Sequence, residues 1–365
     1  MTDSQAPIVA VRARAFRIPT DAPESDGTLA WDATTLVLAQ VQAGGATGTG
    51  YTYSDAAAAT LVNGLLHDKL AGQDALDTQQ RWNDMVAAVR NLGACGIAMT
   101  AISALDTALW DLKGKLLGQP LARLLGAGRG SIQAYGSGGF TSYDDGQLQS
   151  QLGGWAQQGF AAVKMKVGRD AAHDPHRVQL ARRAIGDHVQ LFVDANGGYG
   201  GAQAVAFANG AFAQSHVRWF EEPVPADDLH GLRVVCQRLP ATMALAAGEY
   251  GWRERDFTRL LEAHAVDVLQ ADATRCGGIT GFLQVAHLCT EHRVPLSSHC
   301  APSLHVALCC HAPTAVHVEW FHDHVRIEQR LFDGAAEVVD GRVMPSREPG
   351  LGLVFRDAQA REYSL

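Results

Sequence analysis

Eight short apolar runs recur between residues 132 and 321, each followed by a longer segment of helical character. They are IQAYGSGG, VKMKVG, VQLFVDANG, VRWFEEPV, MALAAGEY, VDVLQADA, VPLSSHC and AVHVEWF. A strand that reads as a continuous apolar run is buried on both faces, which requires a parallel sheet covered by helices. Eight such units point to an α/β chain built on a closed βα barrel rather than an open sheet. A doubly wound sheet would want a Gly-rich phosphate loop after its first strand. The candidate, GSGGF at 136–140, lacks the G-x-G-x-x-G spacing.

A barrel of this kind takes about 250 residues, and the chain has 365. The remainder suits one smaller α+β domain. Residues 8–18 and 34–43 alternate apolar and polar positions and predict strands. The intervening PTDAPESDGTLAW predicts a loop, and a second Gly-rich stretch, GGATGTGYTYSD, follows. Three helical segments come next, with breaks near Gly72 and at Gly93–Gly96, and Gly118 with Pro120 ends the third. The expected organisation is a capping domain over 1–125, a barrel over 126–334, and a tail over 335–365 that packs back on the cap.

Seven of the eight runs carry a chemically competent residue at or near their ends: Lys164 and Lys166, Asp194, Glu221, Glu249, Asp272, His299 and Glu319. From Lys166 onward the separations are 28, 27, 28, 23, 27 and 20 residues, which is the period of the strands. Residues at the C-terminal ends of barrel strands converge on one mouth. Charges on buried strands are costly unless paired or metal-bound. Asp194, Glu221 and Glu249 end three successive strands, and three hard oxygen ligands suit Mg²⁺ better than Zn²⁺. Lys164 and Lys166 stand two apart on one strand and share a face; beside a dication a lysine becomes a base near neutral pH. Asp272 and His299 end adjacent strands, so that the carboxylate fixes the imidazole tautomer and leaves the other nitrogen for proton transfer. Glu319, if protonated, can donate to a substrate carboxylate.

Composition narrows the partners. The net charge of −8 argues against a nucleic-acid surface. Mean hydropathy is −0.05, and no apolar run is long enough to span a bilayer. Charges interrupt the first twenty residues, so no signal-peptide core is expected and the reading is cytoplasmic. Seven cysteines without a C-x-x-C pair read as buried small hydrophobes in a reducing compartment.

These motifs resemble the enolase superfamily, and within it the mandelate racemase subgroup. The resemblance covers nearly the whole chain. AISALDTALWDLKGKLLGQPLARLLG is similar to the N-terminal domain signature, and Lys164-Met165-Lys166 to the K-x-K motif. DANG, EEP and GEY fall where the magnesium ligands do, DATRCGGITG with SSHCAPSLH matches the Asp–His dyad, and HVEW matches the last-strand Glu. The resemblance implies a modified (β/α)8-type TIM barrel of (β/α)7β form, an α+β capping domain, Mg²⁺, and a homo-oligomer between dimer and octamer. It implies proton abstraction next to a carboxylate, giving a metal-stabilised enediolate. Muconate-cycloisomerase and dipeptide-epimerase types carry a catalytic lysine after the sixth strand, where this chain has ADATRCGG with Arg275, and their third ligand is usually Asp rather than Glu249. Asn196 resembles a substrate-contacting position, and the loops PTDAPESDGTLAW and GYTYSD correspond to a specificity lid, with Trp31, Tyr51 and Tyr53 as candidate contacts. The lid shows no basic cluster for a second carboxylate, although His322, His324 and Arg326 after the last strand are available for one. The expected outcome is dehydration of an acid sugar to a 2-keto-3-deoxy acid; racemisation or epimerisation of a 2-hydroxy acid is the alternative, and cycloisomerisation comes after it.

Overall fold

The computed structural model describes residues 5–365. Three antiparallel strands open the chain: β1 (Ile8–Ser25), β2 (Ala30–Ala43) and β3 (Ala46–Tyr53), in the order β1-β2-β3. Helical turns over 57–70 follow, then α1 (Thr78–Ala88) and α2 (Gly96–Leu117). The 22-residue α2 is apolar almost all round and is buried along most of its length, as a helix covered on several sides must be. It ends at Gly118, whose left-handed backbone (φ 62°) closes the last turn.

Close packing of β3 on α2 depends on missing side chains. A Cβ on Gly50 would sit 2.2 Å from the Ala104 carbonyl oxygen and 2.5 Å from the Ala108 nitrogen. Those are backbone atoms of a buried helix and cannot swing aside. Gly50→Ala is therefore expected to destabilise the fold by about 1–3 kcal/mol or more, read as a lower denaturant midpoint; an unchanged midpoint would contradict this packing.

From Ile132 the chain forms eight parallel strands: β4 (Ile132–Gly138), β5 (Ala162–Lys166), β6 (Gln190–Asp194), β7 (Val217–Glu221), β8 (Ala244–Ala247), β9 (Val268–Ala271), β10 (Leu296–Ser298) and β11 (Ala315–Phe321). Each pairs with the next, and β11 pairs back to β4, with Glu319 opposite Tyr135, so the sheet closes. All eight apolar runs are strands. Helices link them, from α3 (Asp145–Gln157) and α4 (Asp174–Ile185) through α5 (Gly201–Phe207), α6 (Leu229–Cys236), α7 (Glu254–Glu262) and α8 (Gly278–His292) to α9 (Pro302–His311). A further helix, α10 (His322–Leu331), follows the last strand. Inside the barrel floor Tyr135, Phe192, Trp219, Ala246 and Val268 form a separate apolar cluster.

Two expectations need correcting. PTDAPESDGTLAW is mostly not a loop: β1 continues to Ser25 and β2 begins at Ala30. The register jumps between Pro19–Ala33 and Glu24–Trp31, so a bulge absorbs the irregular residues and the ribbon continues. GYTYSD likewise contributes Gly50–Tyr53 to β3. The ribbon gains its order from cross-strand pairing and from docking on the barrel, neither of which local composition reveals. The tail meets both parts of the chain: Arg342 pairs with Gln133 of β4, and Ser364 bridges Phe16 of β1. No helix among the described residues is long and apolar enough to cross a membrane.

Candidate active site

Parallel pairing puts the strand ends level. Lys166 stands opposite Asp194, and Asp194 opposite Glu221, in the β5–β6 and β6–β7 ladders. Glu249 follows the end of β8 by two residues, past Gly248, whose φ of 132° turns the chain where a Cβ would lie 2.3 Å from the Gln270 carbonyl oxygen. Oxygens of Asp194, Glu221 and Glu249 all lie within 4.8 Å of one another, and all three residues are buried. Lys164 Nζ lies 2.6 Å from Glu221 Oε1 and 2.7 Å from Glu319 Oε1, while Lys166 Nζ lies 2.5 Å from Asp194 Oδ2. Across the cluster, His299 Nδ1 is 2.8 Å from Asp272 Oδ2, and Nε2 is 3.3 Å from Glu249 Oε2. The eight strand-end residues thus meet in one cluster, with Lys166 against one end of the carboxylate trio and His299 against the other.

Electrostatics sort the roles. Burial and the Asp194 charge push the Glu221 carboxyl well above its usual range, against the pull of Lys164. Burial would raise Asp272 as well, but the hydrogen bond and charge of His299, with Arg275, hold it below the usual range. Asp272 is therefore a carboxylate that holds the Nδ1 side of the ring, which leaves Nε2 facing the trio. Burial favours neutral Lys166, yet Asp194 and the neighbouring glutamates outweigh it and keep the ammonium. Glu319 would donate to a substrate carboxylate only if protonated. Burial would favour its acid form, but Lys164, then His299 and Lys166, hold it below the usual range. It accepts from Ser137 Oγ and from the Cys300 N–H, both at 2.6 Å.

A hard dication fits these residues. Glu249 Oε2 is buried, has no hydrogen-bond partner and lies 3.3 Å from His299 Nε2. Five carboxyl groups, Asp194, Glu221, Glu249, Asp272 and Glu319, outnumber the three buried cations Lys164, Lys166 and Arg275 that face them. The donors are all hard oxygens, which matches Mg²⁺.

Arg275 was singled out in the sequence only for not being lysine. Its Nη1 donates to the Glu249 carbonyl oxygen at 3.2 Å and approaches Glu249 Oε1 at 3.4 Å, and its Nε lies 3.7 Å from Asp272 Oδ2. One guanidinium thus braces both the trio and the dyad. Trp219 was also missed: its indole N–H donates to Glu221 Oε2 at 2.9 Å. Its position two residues before Glu221 on the same strand face was the available signal.

The lid candidates divide. Asn196 sits at φ 44°, donates its N–H to Asp194 Oδ1, and keeps a buried, unpaired side-chain oxygen. Trp31 donates to Glu24 Oε2 at 2.8 Å and meets Phe140 edge-on. Tyr53 is stacked on His324 with ring centroids 3.5 Å apart. Tyr51 is no lid contact: it is fully buried and donates to Glu328 Oε1 at 2.6 Å. Among the described residues, no free basic cluster follows the last strand. Arg326 is tied to Asp323 and to the Pro19 carbonyl, His322 to Asp21, and burial pushes His324 down to about 3, so it is neutral.

The tip of the β1–β2 ribbon covers the mouth. Thr141 donates to the carbonyls of Ser25 and Asp26, and Ser142 to that of Pro23. A Cβ on Gly27 would lie 2.2 Å from the Ala195 carbonyl oxygen. Gly27→Ala must lift the tip. The expected result is a several-fold higher KM with faster proteolytic nicking near residue 27, and unaltered kinetics would show that the tip is not the cover.

A closed eight-stranded barrel whose strand ends gather lysines, carboxylates and a His–Asp pair defines the enolase class of fold. Residues 147–359 match the family model for the enolase C-terminal domain-like region, and residues 10–126 match the mandelate racemase/muconate lactonizing enzyme N-terminal domain. The chain belongs to the mandelate racemase/muconate lactonizing enzyme family of the enolase superfamily. It is 32% identical to an L-talarate/galactarate dehydratase of Salmonella typhimurium, over 90% of this chain and 82% of that one. Among solved structures, a mandelate racemase/muconate lactonizing enzyme-like protein from Rubrobacter xylanophilus is 47% identical with a TM-score of 0.96, covering 98% of this chain and all of the other. A racemase from Streptomyces coelicolor with bound magnesium is 32% identical with a TM-score of 0.92, over 98% of this chain and all of that one. Its relatives include acid-sugar dehydratases, cycloisomerases and racemases.

Proposed function

We propose that this chain is a Mg²⁺-dependent hydro-lyase that converts an acid sugar to a 2-keto-3-deoxy acid, with Asp194, Glu221 and Glu249 as the metal ligands. The observation that carries the reading is the placement of Lys166 and His299 at opposite ends of one carboxylate trio. When bound, Mg²⁺ supplies the positive charge that stabilises the negative charge developing on the substrate carboxylate.

The chain's own groups do the rest. Lys164, braced by Glu221 and Glu319, offers an ammonium to a substrate carboxylate oxygen. Lys166 takes the α-proton once Asp194 gives up its hold on the ammonium and the proton has left Nζ. Asp272 keeps the Nδ1–H of His299 in place, and Nε2, once protonated, delivers a proton to the departing β-hydroxyl. Asn196 offers its unpaired oxygen to a substrate hydroxyl. The ribbon tip excludes water.

The curated relative that acts on talarate and galactarate supports an acid-sugar substrate. Elimination followed by ketonisation is downhill, whereas racemisation is close to thermoneutral. The same opposed pair also serves racemisation of a 2-hydroxy acid, which is the second reading. Incubation with a panel of acid sugars in D₂O separates them. A keto acid trapped by semicarbazide is the expected result; α-deuterium with inversion and no keto acid would overturn dehydration.

A further inference from the structure

The barrel mouth holds a second set of metal-competent side chains that the proposed reaction leaves partly unused. β10 is only three residues long and runs straight into His299 and Cys300. On a continuing strand these neighbours would point to opposite faces. Here Cys300 has φ 52° and Ala301 φ 38°, and the sharp left-handed turn brings both side chains inward. Cys300 Sγ ends 3.3 Å from His299 Nε2. A left-handed backbone at a residue with a Cβ costs on the order of 1–3 kcal/mol, and glycine would meet that need at lower cost. The thiol has no part in the proton transfers assigned to His299 and Lys166.

A ring nitrogen of His299, Sγ of Cys300 and a Glu319 carboxylate oxygen all lie within 4.8 Å of one another, and all three residues are buried. The N···S separation is close to the ~3.5 Å that two ligands subtend on one tetrahedral Zn²⁺ with bonds of ~2.0 and ~2.3 Å. Ser137, Lys164 and the Cys300 N–H fix Glu319 in advance.

We propose that His299, Cys300 and Glu319 form an inhibitory site for Zn²⁺, distinct from the Asp194–Glu221–Glu249 set, whose occupation takes His299 Nε2 out of proton transfer. A nitrogen–thiolate–carboxylate set selects a borderline-soft ion, whereas the all-oxygen trio selects a hard one. As the Zn–S bond forms, the thiol proton passes to solvent. The inhibitory consequence rests on the role given to His299; the binding itself does not.

The test uses the full chain saturated with Mg²⁺ and Co²⁺ as the probe ion. One equivalent of Co²⁺ should give thiolate-to-cobalt charge-transfer absorption in the wild type. Cys300→Ser, which keeps the other six cysteines, should lack it; Cys300→Ala and a near-ultraviolet circular dichroism spectrum show that the loss is not unfolding. Zn²⁺ should abolish turnover without relief by excess Mg²⁺. Measured against each variant's own zinc-free rate, the zinc needed should rise more than ~100-fold in Cys300→Ser, since lesser, outer-shell changes already cost 10–100-fold in affinity. No charge-transfer band in the wild type, an equal band in Cys300→Ser, or inhibition that excess Mg²⁺ reverses equally in both would overturn the proposal. The absorption measurement needs no substrate, so it holds or fails independently of the proposed dehydration.

Discussion

Replacing His299 with Asn is expected to lower turnover by ~10²–10⁴-fold, the usual cost of losing a general acid or base. The side chain loses a titrating nitrogen while keeping comparable size, so Asp272 retains a donor and the barrel is not disturbed. The informative readout is the split between two events. Lys166 approaches the trio from the Asp194 end, 2.5 Å from Oδ2, and owes nothing to the dyad. Exchange of the substrate α-proton with D₂O should therefore persist in His299→Asn while keto-acid formation disappears. If turnover stays near wild type, the dyad is not part of the reaction. If exchange vanishes together with turnover, His299 and not Lys166 removes the α-proton.

Glu221→Gln should be at least as damaging, because it acts on metal affinity and on the charge balance together. Glu221 is fully buried, is hydrogen-bonded by Lys164 at 2.6 and 2.8 Å, and accepts from the Trp219 indole. The amide conserves volume but removes the carboxyl that would become a charged ligand when the ion binds. A fall in kcat/KM of at least about 10²–10³-fold is expected, comparable with losing one preorganised group that stabilises transition-state charge. Calorimetry should show weakened Mg²⁺ binding in the same variant. Removing the ion with a chelator should reproduce the loss in the wild type, lower its thermal midpoint by mass action, and be reversed by adding Mg²⁺ back. Full turnover in Glu221→Gln, or in chelated wild type, would contradict the ligand assignment.

The barrel was readable because a buried parallel strand has no choice about composition: VQLFV and VDVLQA can only be interior. The polar residues ending those runs were equally visible, since Asp194 or Glu319 interrupts an apolar segment at a fixed period. What escaped was set by distant partners. The ribbon over 19–31 carries turn-like residues, and its pairing depends on a bulge and on docking against Thr141 and Ala195. Tyr51 and Tyr53 looked alike in sequence and share one face of β3, their rings 5.8 Å apart, yet Tyr51 is fully buried on Glu328 while Tyr53 at the strand's end stacks on His324. The ionised state of Glu319 depends on Lys164, 155 residues away in the chain, and no local pattern reports it.

The way the ribbon tip is held has a consequence for how such a protein changes over generations. The mouth grips it largely through main-chain oxygens, those of Pro23, Ser25 and Asp26, and Gly27 lies on the Ala195 carbonyl. Closure is thus written largely in the backbone, while the Leu29 side chain, 62% exposed, stands outside these anchoring contacts. Substitutions there can accumulate with little penalty to closing. A lineage can therefore vary the exposed tip with the strand-end residues left untouched.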